Sequence, residues 1–324
     1  MLSYPDFKTK KLIIIFANEG EHFSFKNDNL LVKNRDDEII LQDTCHRILS
    51  LWIVGHGSIT TGLLERSKRF GFSIYHLNIN FRPLGVWNAV TEGNTLLRQK
   101  QYLHTDLDLA AFFVANKLKS QLALLKSTRK KSDELKDAIK KITTYLSQLS
   151  EPLTLEQMMG IEGNSARLYF KNWFDNIEWI GRKPRTKCNP VNTLLDIGYT
   201  QLFYFIEALL NLFGFDLYKG FLHQTFYQRK SLVCDFQEPF RPIVDKVIKH
   251  GFNLGQIKEE DFTIRQGQYQ LSFKAARQYT AWILPAILKE KDHIFLYIQN
   301  FYRSFMRDRP IEDYSHYYFL EGVK

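Results

Sequence analysis

Cysteine is scarce in this chain: 324 residues hold three, Cys45, Cys188 and Cys234, and no two of them form a Cys-x-x-Cys pair. A zinc ribbon or an iron–sulfur site is therefore left without ligands. Long apolar runs are missing as well. Leu12–Ala17 is too short for the core of a secretion signal, and acidic and aromatic residues precede it. The most apolar stretch, Leu202–Phe215, is interrupted by Glu207 and Asn211. Nothing reaches the ~18 apolar residues that a membrane span needs. Few thiols, odd in number, and no membrane segment make the cytoplasm the expected compartment. Neither internal repeats nor low-complexity tracts occur.

What is present is apolar and basic. Hydrophobic residues make up 44% of the chain and aromatic residues 15%, enough to fill the core of one large domain or two ordinary ones. The formal net charge is +9 and the pI about 9.2, a balance that favours polyanionic partners. The excess is uneven. Residues 1–90 carry 11 Lys and Arg against 9 Asp and Glu, whereas residues 95–150 carry 11 against 5. The positive charge belongs to the middle of the chain and not to a detachable tail.

Patterning divides the chain in two. Up to about residue 90 it reads as strands: Lys11–Ala17, His22–Phe25 and Leu30–Lys33 about an Asn27-Asp28-Asn29 turn, Asp37–Gln42, Ile48–Val54 and Phe72–Leu77. One helix interrupts them, from Ile59 to Phe70, with Ser58 as its cap and Gly71 past its end. A linker is expected near Phe81–Asn94, where Pro83, Gly85 and Gly93 cluster. Beyond it the apolar period becomes 3.6. Helices are expected over Thr95–Ser127 and Ser132–Leu149, after a Thr154/Gln157 capping box, and from Asn189-Pro190 to about Phe213. Three more follow near 232–250, 273–289 and 292–307, with a small hairpin about Gly267. The expected fold class is α+β: a β-rich N-terminal domain (1–90) and a larger all-α domain (91–324).

Four side chains in the second part are candidates for chemistry. Glu162 stands in Gly160-Ile161-Glu162-Gly163, on an otherwise apolar helix, where a carboxylate needs a positive partner. An arginine or a metal ion would serve, and buried Glu–Arg pairs are the commoner arrangement. His223 ends Gly220-Phe221-Leu222-His223, and a hydrogen-bonded core histidine is its plainer use. Asp235 and Glu238 stand three apart, on one face if helical, among Leu232, Val233, Phe236 and Phe240. Brought together, these groups would form an oxygen-rich site with one imidazole, suited to Mg²⁺ or Mn²⁺. Spacing alone does not bring them together.

The motifs containing them do carry a resemblance. Gly160–Phe170, with its Glu-Gly pair and Tyr169-Phe170, is similar to the glutamate motif of the CRISPR-associated spacer-acquisition integrase family. Asn189-Pro190-Val191-Asn192, running on to Gly198-Tyr199, resembles that family's Pro-Val-Asn helix. Gly220–His223 resembles its histidine motif, and Asp235-Phe236-Gln237-Glu238-Pro239-Phe240-Arg241-Pro242 its Asp-x-x-Glu-Pro-Phe-Arg-Pro motif. The order is the family's, over residues 160–245. The departures are Asn189 for a frequent Asp, Gln237 for an apolar residue, and no proline before Gly220.

The resemblance implies a metal-dependent DNA endonuclease and integrase that inserts short fragments into a CRISPR array. Glu162, His223 and Glu238 would be the metal ligands, and Asp235 a further active-site carboxylate. The implied partners are double-stranded DNA, a second copy of the chain in a homodimer with contacts made by the β-rich domain, and a small ferredoxin-like protein completing a heterohexamer. Basic residues would hold phosphates: Arg182, Lys183, Arg185 and Lys187 in one loop, with Arg167 and Arg241 nearer the metal. Asn192 and Tyr199 are candidates to line the site. Two other functions stay open, a transposon-linked integrase homologue and a non-catalytic basic DNA-binding scaffold.

Overall fold

A computed structural model of the chain describes residues 2–320, 322 and 323, apart from 90–92, 178 and 225. The expected boundary at 90/91 lies outside the described residues. The architecture is α+β, strands first and helices after, as the patterning implies; 53% is helical and 17% strand.

A short helix, α1 (Tyr4–Thr9), leads into β1 (Lys11–Ala17). An antiparallel meander follows: β2 (His22–Lys26), β3 (Asn29–Lys33) and β4 (Ile39–Thr44). The chain then returns as β5 (Ile48–Gly55), crosses over through α2 (Thr61–Phe70), and continues as β6 (Ser73–Leu77) and β7 (Pro83–Trp87). A four-stranded sheet results, in the order β1-β5-β6-β7, parallel except for β7. Strand β5 is buried along its whole length, the pattern of a strand covered on both faces. Ile48, Leu51 and Ile53 join a small core with Phe23, Leu30, Val32 and Leu63. Leu49, Trp52 and Val54 join the large core of the helical body. The sheet is thus a middle layer between the meander and the helices.

The helical body comprises α3 (Thr95–Leu103), α4 (Asp108–Lys126), α5 (Asp133–Gln148), α6 (Leu155–Trp173) and α7 (Pro190–Phe213). After them come α8 (Ser231–Gln237), α9 (Arg241–Asn253), the hairpin β8 (Phe262–Arg265) and β9 (Gln268–Leu271), α10 (Phe273–Lys289) and α11 (Lys291–Met306). A last pair, β10 (Tyr317–Tyr318) and β11 (Gly322–Val323), closes the described chain. The capping box at Thr154/Gln157 is formed, Asn189 caps α7 with Pro190 in its first turn, and Gly71 ends α2 at φ +71°.

Four expectations change. The expected linker contains β7, antiparallel to β6. The expected helix over Thr95–Ser127 is two helices, because the chain is extended at His104 and Asp108 restarts it. The cap of α2 is Thr60, not Ser58. The helix expected near 232–250 is interrupted: Pro239 has no N–H to continue α8, so Glu238–Phe240 tightens into a 3₁₀ turn before α9 begins. Among the described residues no helix is long and apolar enough to cross a membrane.

Candidate active site

The 3₁₀ turn packs against α4, and α4 packs against α6. That junction opens into a cleft of about 880 Å³, lined in part by Lys117 from α4, Glu162 from α6, Tyr199 from α7, His223 from the α7–α8 loop, Glu238 from the turn and Arg241 from α9. Glu238 is almost sealed from water, its side chain 3% exposed. Its Oε1 lies 3.1 Å from Arg241 Nη2. Its Oε2 lies 2.7 Å from Lys117 Nζ, an ion contact without hydrogen-bond geometry. Burial opposes the charge, but Arg241, Lys117 and His223 together outweigh it and hold the Glu238 carboxyl down to about 2. Lys117 also donates to Glu162. Burial likewise works against its ammonium, yet Glu238 and Glu162 prevail and raise its pKa, so it stays charged.

Asp235 has a different task. It is fully buried on α8, and both its oxygens are taken. Oδ2 accepts from the backbone N–H of Phe221 (2.6 Å) and of Leu222 (3.1 Å). Oδ1 accepts from the His223 backbone N–H (3.0 Å) and stands 2.6 Å from His223 Nδ1. A carboxylate partner places the ring proton on Nδ1 and leaves Nε2 as the free nitrogen. Asp235 and Glu238 therefore do different work: Glu238 lines the cleft, while Asp235 pins the histidine loop behind it. Gly220 is required there, since a Cβ would stand 2.5 Å from His223 O and 2.9 Å from Asp235 Oδ2.

On the far side, Tyr199 Oη and Tyr169 Oη donate to Asp245, the second at 2.7 Å. Burial lifts the Asp245 carboxyl to about 6 in spite of those bonds. The guanidinium groups of Arg241 and Arg182 lie 4.9 and 5.3 Å from the centre of the Tyr199 ring. Arg182 also donates to Asn192 Oδ1 at 2.9 Å and to Asp196 Oδ1 at 2.5 Å, folding the basic loop onto the start of α7.

Of the residues singled out from the sequence, Glu162, His223, Glu238, Arg182, Arg185, Lys187, Tyr199 and Arg241 line the cleft. Asp235 and Asn192 stand behind it as supports. Lys183 is exposed outside the lining, and Arg167, also exposed, donates to Asn164 at 3.0 Å. The sequence reading missed Lys117, Asp196 and Asp245, and the cleft cations Arg82 and Arg229. A signal for Lys117 was present: Asn116, Lys117, Ser120 and Gln121 interrupt the apolar side of α4, and all four are buried.

Two carboxylates and an imidazole with its second nitrogen fixed, all lining one cleft, are a donor set that suits Mg²⁺ or Mn²⁺. Among the described residues no three Asp, Glu, His or Cys side chains already stand together as a cage. Lys117 lies between the two carboxylates instead.

The family model described as CRISPR associated protein Cas1 matches residues 14–283. A protein of Thermodesulfovibrio yellowstonii called CRISPR-associated endonuclease Cas1 1 is 30% identical over 223 residues, 65% of this chain and 70% of that one. A solved Cas6-RT-Cas1–Cas2 complex contains a chain similar to 94% of this one at a TM-score of 0.79 and 21% identity; this chain covers 36% of it. A casposase bound to its integration product matches 92% of this chain and 91% of its own length, at a TM-score of 0.75 and 21% identity.

Proposed function

The chain belongs to the CRISPR-associated Cas1 family, and from that premise we propose that it is a metal-dependent DNA endonuclease and integrase. The observation that carries the reading is the convergence of Glu162, Glu238 and His223 on one cleft whose walls also carry Arg82, Arg185, Arg229 and Arg241. Glu162, Glu238 and the free Nε2 of His223 would hold Mg²⁺ or Mn²⁺, which when bound supplies charge to polarise a phosphoryl oxygen and to lower the pKa of the attacking hydroxyl. Asp235 orients the imidazole. The cleft arginines and Lys187 hold the DNA backbone without reading bases. A DNA 3′-hydroxyl attacks the phosphorus of a target phosphodiester. One P–O bond forms as the attacking hydroxyl gives up its proton, the bond to the departing 3′-oxygen breaks, and that oxygen takes up a proton. Water in place of the hydroxyl gives hydrolysis.

The partners in this reading are spacer-precursor and array DNA, a second copy of the chain, and a small ferredoxin-like protein in a heterohexamer, all in the cytoplasm. Support for pairing of copies comes from exposed apolar side chains on sheet-edge strands, Leu84 and Trp87 on β7 and Ile39 and Ile40 on β4. One chain of the Cas6-RT-Cas1–Cas2 complex contains a region of the same fold, which supports the small partner. The test is Glu162→Gln, assayed for strand joining into a supercoiled array plasmid, duplex affinity and melting temperature. Joining in Mg²⁺ and Mn²⁺ is lost while folding and DNA binding persist. A folded variant that joins DNA at the parent rate refutes the site. A scaffold would instead show altered binding with no metal-dependent joining to lose.

A further inference from the structure

The two carboxylates of the proposed metal site already have a cation of their own. Lys117 is 5% exposed on α4 and reaches Glu162 on α6 and Glu238 on the 3₁₀ turn at once. Arg241 covers the other oxygen of Glu238. Two negative charges therefore face two positive ones, and the cluster is neutral as it stands. A divalent ion placed between the carboxylates would meet the ammonium at short range in a poorly solvated setting, where like charges repel strongly. The carboxylates cannot satisfy both cations with the same lone pairs. Lys117 also lines the cleft, so its flexible four-carbon stem has space in which to draw the ammonium aside.

We propose that Lys117 is a tethered counter-cation that competes with the divalent ion for Glu162 and Glu238, so that metal loading requires its ammonium to withdraw. It stabilises the metal-free site and weakens metal affinity together. This inference rests on the metal-site reading above, but it concerns a residue that the sequence motifs do not include. It is a positioning role, exerted through the two carboxylates.

The experiment is a titration of the full-length chain with Mn²⁺ alone, without DNA, reading free Mn²⁺ by electron paramagnetic resonance and the melting temperature in parallel. The proteins are the parent, Lys117→Met, Lys117→Gln, Lys117→Arg and Glu238→Gln. Met removes the charge at similar length. Gln removes it while keeping an amide that can donate to a carboxylate, and so guards against a Met variant that fails to fold. Both neutral variants should bind Mn²⁺ at least about tenfold more tightly than the parent. They should melt lower without metal and gain more from it, because the ion replaces the lost charge. Lys117→Arg should bind no more tightly than the parent. Folded neutral variants with parental or weaker affinity overturn the competition while leaving the metal site intact. Absence of Mn²⁺ binding in the parent and in both neutral variants, or binding by Glu238→Gln as tight as the parent's, refutes the metal site itself and the inference with it.

Discussion

Substituting Asp235 by Asn changes one oxygen to an amide and leaves size and shape alone. In the folded protein that carboxylate is an acceptor at both ends, toward the Phe221 and Leu222 N–H groups and toward the backbone N–H and Nδ1 of His223. An asparagine has only one acceptor oxygen. With its NH₂ toward Phe221 and Leu222 two hydrogen bonds are lost at a buried position; toward His223 the backbone N–H loses its acceptor and the Nδ1 bond survives only if the ring changes tautomer. Hydrogen bonds to a charged group contribute roughly 1.5–3 kcal/mol each, so the cost is about 2–5 kcal/mol after relaxation. For a chain of this size that corresponds to a fall in melting temperature of about 3–7 °C. If the NH₂ faces His223, Nδ1 must become the acceptor, which moves the ring proton to Nε2 and removes the nitrogen that would meet a metal. Loss of such an outer partner lowers metal affinity by roughly 10–100-fold. Thermal melts, nitrogen NMR of the His223 tautomer and Mn²⁺ titration test the three parts separately. A variant with parental melting temperature, Nδ1 protonation and Mn²⁺ affinity would refute the pinning role assigned to Asp235.

Gly220→Ala should disturb the same loop from the opposite side, costing about 1–3 kcal/mol in urea unfolding and displacing His223, with strand joining lost; parental stability would show that the backbone yields freely. Asp245 has a folded value of about 6 against 3.8 for the free side chain, so the native state holds that proton more tightly than the unfolded chain. Its stabilisation is complete below about 4 and is lost as pH climbs through 6, by about 3 kcal/mol in all. Asp245→Asn should flatten the stability profile between those limits in pH-stepped denaturation, and a profile as steep as the parent's would count against it. Neutralising Arg82, Arg185 and Arg229 together should reduce the slope of log K against log salt for duplex binding by about 2–3. An unchanged slope takes DNA out of this cleft.

Local signals made much of this architecture legible. Asn189-Pro190 opens α7, Thr154/Gln157 opens α6 and Gly71 closes α2, because caps and breakers act within a few residues of where they stand. The parallel order β1-β5-β6 was not legible, since β1 and β5 pair across an entire intervening meander and no residue in either strand names its partner. The helix break at His104 sits in a sequence without Pro or Gly, so periodicity alone runs through it. In the site, Glu162, His223 and Glu238 were found through motifs, whereas Lys117 was counted only as one of many basic residues. Its burial depends on α4 passing between α6 and the 3₁₀ turn, which is tertiary information. Asp235 was found with its task left open, because its partners are the backbone N–H groups of Phe221, Leu222 and His223, 12 to 14 residues away in the sequence.

The covering of β5 on both faces bears on how the chain is made. Tyr204 of α7 lies edge-on to Trp52 and beside Tyr75, and its hydroxyl donates to the Phe81 carbonyl, 123 residues away, at 3.0 Å. A nascent chain that has left the ribosome only as far as β7 therefore displays Trp52, Tyr75, Leu77 and Phe81 on a face with no helical layer over it. The sheet is finished only when α7 arrives. Until then it is an exposed apolar face bordered by unpaired strand edges, the condition that chaperones recognise and that drives premature association. An N-terminal fragment ending at β7 should accordingly be less soluble than the whole chain.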